Sequence, residues 1–359
     1  CLEKSRLSCH DPFFLIYPPK LIMLVLNIVN PTSITSKTSV PNQWNKLFQD
    51  KDDGNVYKIF GLGIKAFKFF FKADIVHAYH IKSGFIFVIL SKIFRKKVVY
   101  TLTGSIDFAS PLNTMLFNII AIYSNKLVVV SPSLVTGLEN LKTYNVFKNK
   151  VEVIPCGVDL NIKKVRDDLI LEKFNINPEA KIIFHPARFV REKNHINLLR
   201  AFKNVTDELP YQTLLVLSGG GKLHDELVTE IAKNGLQNSV ILTGLISRVD
   251  VLCLLEKCDL YVMPSISEGL NVSFLEALAK KKKIVVSNIP SFESFFNSSN
   301  TPPELCNTKL VNPYDIKEIS NEIISQLHKD KINDFDRSFI DVNEMIDSYC
   351  LLYKGLLTK

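Results

Sequence analysis

The chain has 359 residues, 47% of them hydrophobic and 22% charged, which suits two globular α/β domains with separate cores. Its net charge of +8 favours anionic partners, such as sugar nucleotides, acidic lipid surfaces or nucleic acid, without choosing among them. Seven cysteines lie scattered at positions 1, 9, 156, 253, 258, 306 and 350 with no C-x2-C pair, which argues against a zinc site or disulfide framework and fits a reducing cytosol.

The chain opens on Cys1 instead of Met, which fits a truncated start. The apolar stretch from Phe13 to Val29 is interrupted by Tyr17-Pro18-Pro19-Lys20, leaving only about nine apolar residues in a row, too few for a membrane-spanning helix. No small-residue cleavage site follows it. The first strand is predicted over Leu21 to Ile28, and the polar segment from Asn30 to Asp53 suggests no element. Between Ile64 and Lys72, lysines at 65, 68 and 72 alternate with Phe67, Phe69, Phe70 and Phe71, a basic and aromatic mixture. A short strand over Ala73 to Tyr79 leads to a helix from Gly84 to Phe94, closed by Lys92 and the cluster Arg95 to Lys97. A strand from Val98 to Leu102 then ends in Thr103-Gly104-Ser105.

A helix from Pro111 to Tyr123, a strand from Lys126 to Val130 and a helix capped by Ser131-Pro132-Ser133 follow. The last strand of this half, Val151 to Ile154, runs into Pro155-Cys156-Gly157-Val158-Asp159, and the charged run to Asp168 reads as a linker. The second half repeats the plan, with strands at Ile182 to His185, Thr213 to Leu217, Val240 to Leu242, Leu260 to Met263, Ile284 to Ser287 and Lys309 to Val311. Leu198, Phe202, Val205 and Leu209 form one apolar helical stripe. Strands alternating with helices mean βαβ units and a mostly parallel sheet in each half. A helix over Phe339 to Leu357 closes the chain.

In open α/β sheets ligands bind beyond the carboxyl ends of the strands, so residues just past strands carry the information. Past Leu260–Met263, a loop punctuated by Pro264 and Gly269 feeds a helix starting near Val272, whose last turn carries Lys280 to Lys283. Unpaired N–H groups at such a helix start offer a seat for phosphate. Glu268 stands at its mouth and Glu276 a turn inside. Carboxylates repel phosphate but accept hydrogen bonds from sugar hydroxyls. The plainer reading leaves Glu276 on a solvated helix face.

Arg188 and Lys193 share the loop after Ile182–His185 and offer a forked guanidinium and a point ammonium to a diphosphate. Ser218-Gly219-Gly220-Gly221-Lys222 lacks the Walker A spacing, so it reads as a turn that lets backbone approach a ligand, or simply as a tight turn. Thr243-Gly244-Leu245-Ile246-Ser247 suits backbone contacts with a base. The acidic pairs Asp50/Asp52 and Asp334/Asp336 follow no convincing strand and read as solvated surface, so no metal site is expected. His77 and His80 have no partner cluster and read as core or surface. Dispersed positive charge without a binding motif argues against nucleic acid.

Ala187-Arg188-Phe189-Val190-Arg191-Glu192-Lys193, Ser218-Gly219-Gly220-Gly221, Thr243-Gly244-Leu245 and the run Ser267 to Ala277 together resemble the donor site of GT-B glycosyltransferases, in the retaining group called family 4. Pro155 to Asp159 resembles the end of that family's N-terminal domain, and Tyr349-Cys350-Leu351-Leu352-Tyr353 its closing helix. The likeness runs over about residues 73–359. It implies that Arg188 and Lys193 hold the donor diphosphate, that Glu276 binds the ribose and that Glu268 lies by the transferred sugar. Gly220, Leu245, Gly269 and the backbone of Leu270, Asn271 and Val272 would complete the donor site. Thr103 and Gly104 would face the acceptor. Two departures stand out: relatives often carry a histidine where this chain has Thr103, and a glycine-rich loop where it has Asn27 to Thr32.

The resemblance thus implies an α/β protein of GT-B architecture, with two Rossmann-like domains facing a central cleft. Residues 1–158 would bind acceptor, 159–338 the nucleotide-sugar donor, and 339–359 would close back on the first domain. The expected activity is retaining transfer from a UDP- or GDP-sugar, without further cofactor, to a glycan or lipid-linked glycan. Its expected setting is bacterial lipopolysaccharide, O-antigen or capsule synthesis, in the cytoplasm or peripheral on the inner face of the cell membrane, with the basic-aromatic segments against an anionic surface. A non-catalytic sugar-nucleotide-binding subunit and a sugar-nucleotide epimerase stay open as alternatives.

Overall fold

The computed structural model describes residues 70–106, 110–160, 169–298, 301–306, 308–329 and 335–358, together with two strands over 24–29 and 55–60. Six strands form the first sheet: β1 (Leu24–Val29), β2 (Asn55–Phe60), β3 (Ile75–Ala78), β4 (Lys97–Leu102), β5 (Lys126–Val129) and β6 (Val151–Val153). They stand in the order β2-β1-β3-β4-β5-β6. The second sheet has β7 (Lys181–Pro186), β8 (Thr213–Ser218), β9 (Val240–Gly244), β10 (Leu260–Met263) and β11 (Lys283–Val286), in the order β11-β10-β7-β8-β9. Every neighbouring pair in both sheets is parallel. Helices cover the faces, which is why β3, β8 and β10 are buried along their whole length.

Chain order reverses between β7 and its neighbours: β8 follows on one side and β10 lies on the other. The crevice between the ends of β7 and β10 is therefore a topological switch point, where open α/β sheets take their ligands. The loop bearing Arg188 and Lys193 and the loop bearing Glu268 leave from these two ends.

Element types follow the sequence reading closely, with local corrections. The first strand is described over Leu24–Val29, the first three residues of the expected span, 21–23, lying outside the described residues, and β2 was not foreseen because its lysine and asparagine obscure the alternation. The helix expected from Gly84 begins at Ile81, so Gly84 lies inside it, packed close to Tyr100 and Ala78. Lys309 to Val311 is not a strand. Val311 makes only an isolated bridge to Ser287, since Pro313 has no N–H to continue a ladder. The helix Val272–Ala279 stops before the lysines: Lys280 is its C-cap, Lys281 is left-handed and Lys283 already begins β11.

The closing helix is Val342–Leu357, three residues shorter at its start than expected, because Asp341 caps it by accepting from the Asn343 N–H at 3.0 Å. It packs onto the first sheet. Tyr353 Oη lies 2.5 Å from His77 Nδ1, and His77 Nε2 lies 2.7 Å from Thr101 Oγ1, itself 3.0 Å from Tyr349 Oη. Val158 and Asp341 pair where the chain crosses between sheets and returns. His77 is thus core, one of the two readings the sequence left open, and burial pushes its pKa down to about 3. Of the basic-aromatic segment, Phe70 is fully buried and Phe71 is exposed, while Lys65, Phe67, Lys68 and Phe69 lie outside the described residues. Asp50, Asp52 and Asp334 lie outside them too, and Asp336 is occupied in bonding Ser338.

Candidate donor and acceptor site at the switch point

Arg188 is held by backbone on both sides. The Ala187 N–H donates to the Ser218 carbonyl at 2.9 Å and the Phe189 N–H to the Gly220 carbonyl at 3.0 Å. This close pairing explains the glycines: a Cβ at Gly219 would collide with the Ala187 carbonyl, and one at Gly221 with the Phe189 carbonyl. The loop therefore approaches other backbone, and the simple tight-turn reading is set aside. Between these anchors the Arg188 side chain is exposed. Gly220 abuts the Leu245 side chain, which is 79% exposed and forms an apolar shelf beside Arg188's loop.

Lys193 is placed by its neighbour. Asn194 takes a left-handed conformation (φ 59°) that asparagine tolerates, and its side chain donates to the Pro264 and Pro313 carbonyls at 3.0 and 2.6 Å. The Ile266 N–H also donates to the Glu192 carbonyl at 2.8 Å, so the two switch-point loops are tied together. Lys193 Nζ then reaches Glu268 Oε1 at 2.5 Å, with side chains only 13% and 7% exposed. Ser265 and Asn271 donate to the same oxygen at 2.7 and 3.1 Å. Glu268 is fixed from three directions.

The helix start beyond it is narrower as an anion seat than the sequence implied. Asn271 Oδ1 accepts from the Ser273 and Phe274 N–H groups, taking two of the orphan donors. Glu276, inside the first turns, is 1% exposed and ion-paired with Arg248. A solvated-face reading of Glu276 is overturned, because the helix buries that side. Arg248 begins the helix Arg248–Lys257, which Ser247 and Asp250 cap reciprocally. Burial lowers the Arg248 pKa to about 10. The capping box is legible in the sequence, but nothing there links Arg248 to a carboxylate in the next helix.

Across the cleft, Gly269 touches the Thr103 carbonyl and Gly104 so closely that no side chain fits. Thr103 and Gly104 line a 240 Å³ cavity with Tyr79, His80 and Lys82. His80, discounted in the sequence, thus stands beside the position where a histidine was expected and Thr103 occurs. Burial and the nearby Lys82 lower its pKa. A larger cavity of 580 Å³ lies between the halves, with Glu268 on one wall and the helix Pro132–Glu139 on the other. Among the described residues, no group of three or more His, Cys, Asp or Glu side chains is arranged to hold a metal ion.

Two family models match: "Glycosyl transferases group 1" over residues 167–340 and "Glycosyltransferase Family 4" over 47–162. The chain is 28% identical over 185 residues to the N-acetylgalactosamine-N,N'-diacetylbacillosaminyl-diphospho-undecaprenol 4-alpha-N-acetylgalactosaminyltransferase of Campylobacter jejuni, covering 51% of this chain and 46% of the relative. It is 29% identical over 152 residues to the alpha-monoglucosyldiacylglycerol synthase of Streptococcus pneumoniae, covering 40% of this chain and 34% of the relative. Each match spans less than half the relative's length. The crystal structure of Anabaena HepE in complex with UDP and glucose superposes with a TM-score of 0.70 at 17% identity, covering 93% of this chain and all of that one. With this fold and these matched domains, the chain belongs to the group 1 glycosyl transferases of GT-B architecture.

Proposed function

We propose that this protein is a retaining glycosyltransferase that moves a sugar from a nucleoside-diphosphate sugar, UDP- or GDP-linked, to a hydroxyl of a glycan or lipid-linked glycan. The observation that carries the reading is that exposed Arg188 shares the loop of Lys193, itself anchored to Glu268, at the switch point of the second sheet. Arg188 and Lys193 neutralise the diphosphate as its bond to the anomeric carbon breaks, the acceptor oxygen bonds to that carbon, and the hydroxyl proton passes to the departing diphosphate oxygen. Charge neutralisation aimed at the leaving group is the largest single effect such a site offers. Glu276 takes the ribose, Leu245 and Gly220 face the base, and Leu270 to Val272 supply backbone N–H groups. Thr103 and Gly104 border the acceptor. Residues 1–158 serve as acceptor half, 159–338 as donor half, and 339–359 as the return to the first.

The relatives' names, one containing a sugar-diphospho-undecaprenol and the other monoglucosyldiacylglycerol, favour work on lipid-linked acceptors, and we place that work in surface polysaccharide assembly. Among the described residues no helix is long and apolar enough to cross a membrane. A peripheral seat at the cytoplasmic membrane face fits the exposed Phe71, Ile93 and Phe94 with Lys92 and Arg95 around them. The test is incubation with UDP-, GDP- and ADP-sugars, scoring transfer and slow donor hydrolysis. Turnover of one donor class supports the reading; neither transfer nor hydrolysis with any donor defeats it.

A further inference from the structure

The 580 Å³ cavity between the halves falls within the roughly 300–1,000 Å³ of small-molecule sites. Its chemistry is one-sided in an unexpected way. Among the described residues that line it none is Lys, Arg or His, although the chain carries a net charge of +8. Polar groups abound: Ser105, Thr136 and Asn140 on the first half, Ser294 and Asn297 on the second, and two carboxylates, Glu268 and Glu293. Lys193 balances Glu268 from outside the cavity, which leaves the exposed Glu293 as its net charge. Leu102, Leu134 and Ile289 supply apolar wall between the polar groups.

A ligand suited to this lining must donate hydrogen bonds to carboxylate, hydroxyl and amide oxygens while accepting from hydroxyl and amide donors. Hydroxyl groups do both. An anion would satisfy only the donors, would face Glu293, and would leave its charge without a cation on desolvation, which is strongly unfavourable. Apolar faces between the polar groups match the C–H faces of a sugar ring.

We infer that this cavity is an acceptor subsite selective for a neutral, polyhydroxylated sugar, and that it excludes uronic acids and phosphorylated sugars. The assignment as acceptor subsite rests on the glycosyltransferase reading; the selectivity rests on the cavity lining alone. It also implies that any phosphate of a lipid-linked acceptor lies outside this cavity, so at least one neutral sugar separates it from the reacting hydroxyl.

The experiment measures binding by ligand-observed NMR, with UDP or GDP present. The probes are neutral di- and trisaccharides, the matching oligouronates, and hexose 6-phosphates. At least one neutral probe should bind about tenfold or more tightly than its charged counterparts. In Thr136→Arg, which places a cation on the cavity wall away from the donor residues, that preference should shrink or reverse. Failure of every neutral probe to bind, or oligouronate binding as tight as neutral binding in the parent, overturns the inference. Unchanged selectivity in Thr136→Arg would show that the probes sit elsewhere, and overturns it too. Failure of UDP and GDP themselves to bind counts against the glycosyltransferase reading and is scored separately.

Discussion

Gly269 and Thr103 meet backbone to backbone across the cleft, and a methyl group at position 269 would strike the Thr103 carbonyl. The loop bearing Glu268 and the loop bearing Thr103 are therefore in direct contact, and only glycine permits that approach. Gly269→Ala should leave both sheets folded but hold the loops apart. Transfer should fall by about tenfold or more, equivalent to roughly 1.4 kcal/mol in the barrier, through misplacement of reacting groups. Steady-state transfer and a thermal melt read the two effects. Normal turnover would mean that the cleft works in a more open form.

Arg188 and Lys193 should differ in what their loss does. Arg188 is exposed, so Arg188→Ala should weaken nucleoside-diphosphate binding by about 1.5–3 kcal/mol and leave the melting temperature alone. Lys193→Ala should do the same and also destabilise the fold, because Glu268 keeps its burial and loses its cation. Calorimetry with UDP and GDP, paired with melts, separates the two. Parent-like binding in both variants removes the diphosphate assignment.

Arg248 should act through Glu276. Removing it leaves a carboxylate that is 1% exposed with no partnering charge, a loss of about 3–5 kcal/mol for a broken buried pair. Arg248→Met should therefore unfold at markedly lower denaturant, and Glu276→Met added to it should recover part of the deficit. Glu276→Gln, which keeps the volume but leaves the Arg248 guanidinium without its carboxylate, should impair donor binding and also lower the denaturant midpoint. If the double variant is less stable than Arg248→Met alone, the pair is not coupled as the geometry says.

Stability should fall on mild acidification. Burial depresses His77 to about 3, His185 to about 4 and His195 to about 2, against 6.5 for an exposed imidazole. Above 6.5 neither folded nor unfolded state carries the proton, so these groups add no pH dependence. Below it the unfolded chain binds protons that the fold refuses, and stability drops by about 1.4 kcal/mol per pH unit for each histidine. The loss runs from pH 6.5 down towards 4, where His185 begins to protonate in place. Denaturant titrations between pH 7 and 5 should show His77→Gln with a slope one proton shallower than the parent. An unchanged slope would mean that His77 is charged within the fold.

The exposed face at the end of Ile81–Ile93 should bind anionic membranes. Phe71 and Phe94 stack edge to face at 5.1 Å and are 55% and 48% exposed. Lys96 is not free for headgroups, since its Nζ donates to the Phe71 and Ala73 carbonyls. Each remaining basic residue near the surface contributes about 1 kcal/mol. Cosedimentation with anionic but not neutral liposomes, reversed by salt and weakened in Phe71→Ser/Phe94→Ser, is the expected result. No binding at low salt would sink it.

Much of this protein is written locally. Alternation of apolar runs with amphipathic stretches determines two parallel sheets, and the position of Arg188, Lys193 and Glu268 on loops past strand ends marks the candidate site, since parallel βαβ units put their loops at one edge. The helix Val272–Ala279 begins at the residue its spacing implied. What the sequence could not decide are pairings between residues far apart in the chain, because they depend on which strands become neighbours. Only the order β11-β10-β7-β8-β9 brings Lys193 against Glu268, 75 residues later, and only helix packing brings Arg248 against Glu276. The same holds for the buried bonds from Tyr349 and Tyr353 to Thr101 and His77, 248 and 276 positions apart. The cavity between the halves, with no lysine, arginine or histidine among its described lining residues, is decided later still, by how the two sheets face each other, and local propensity carries no information about that.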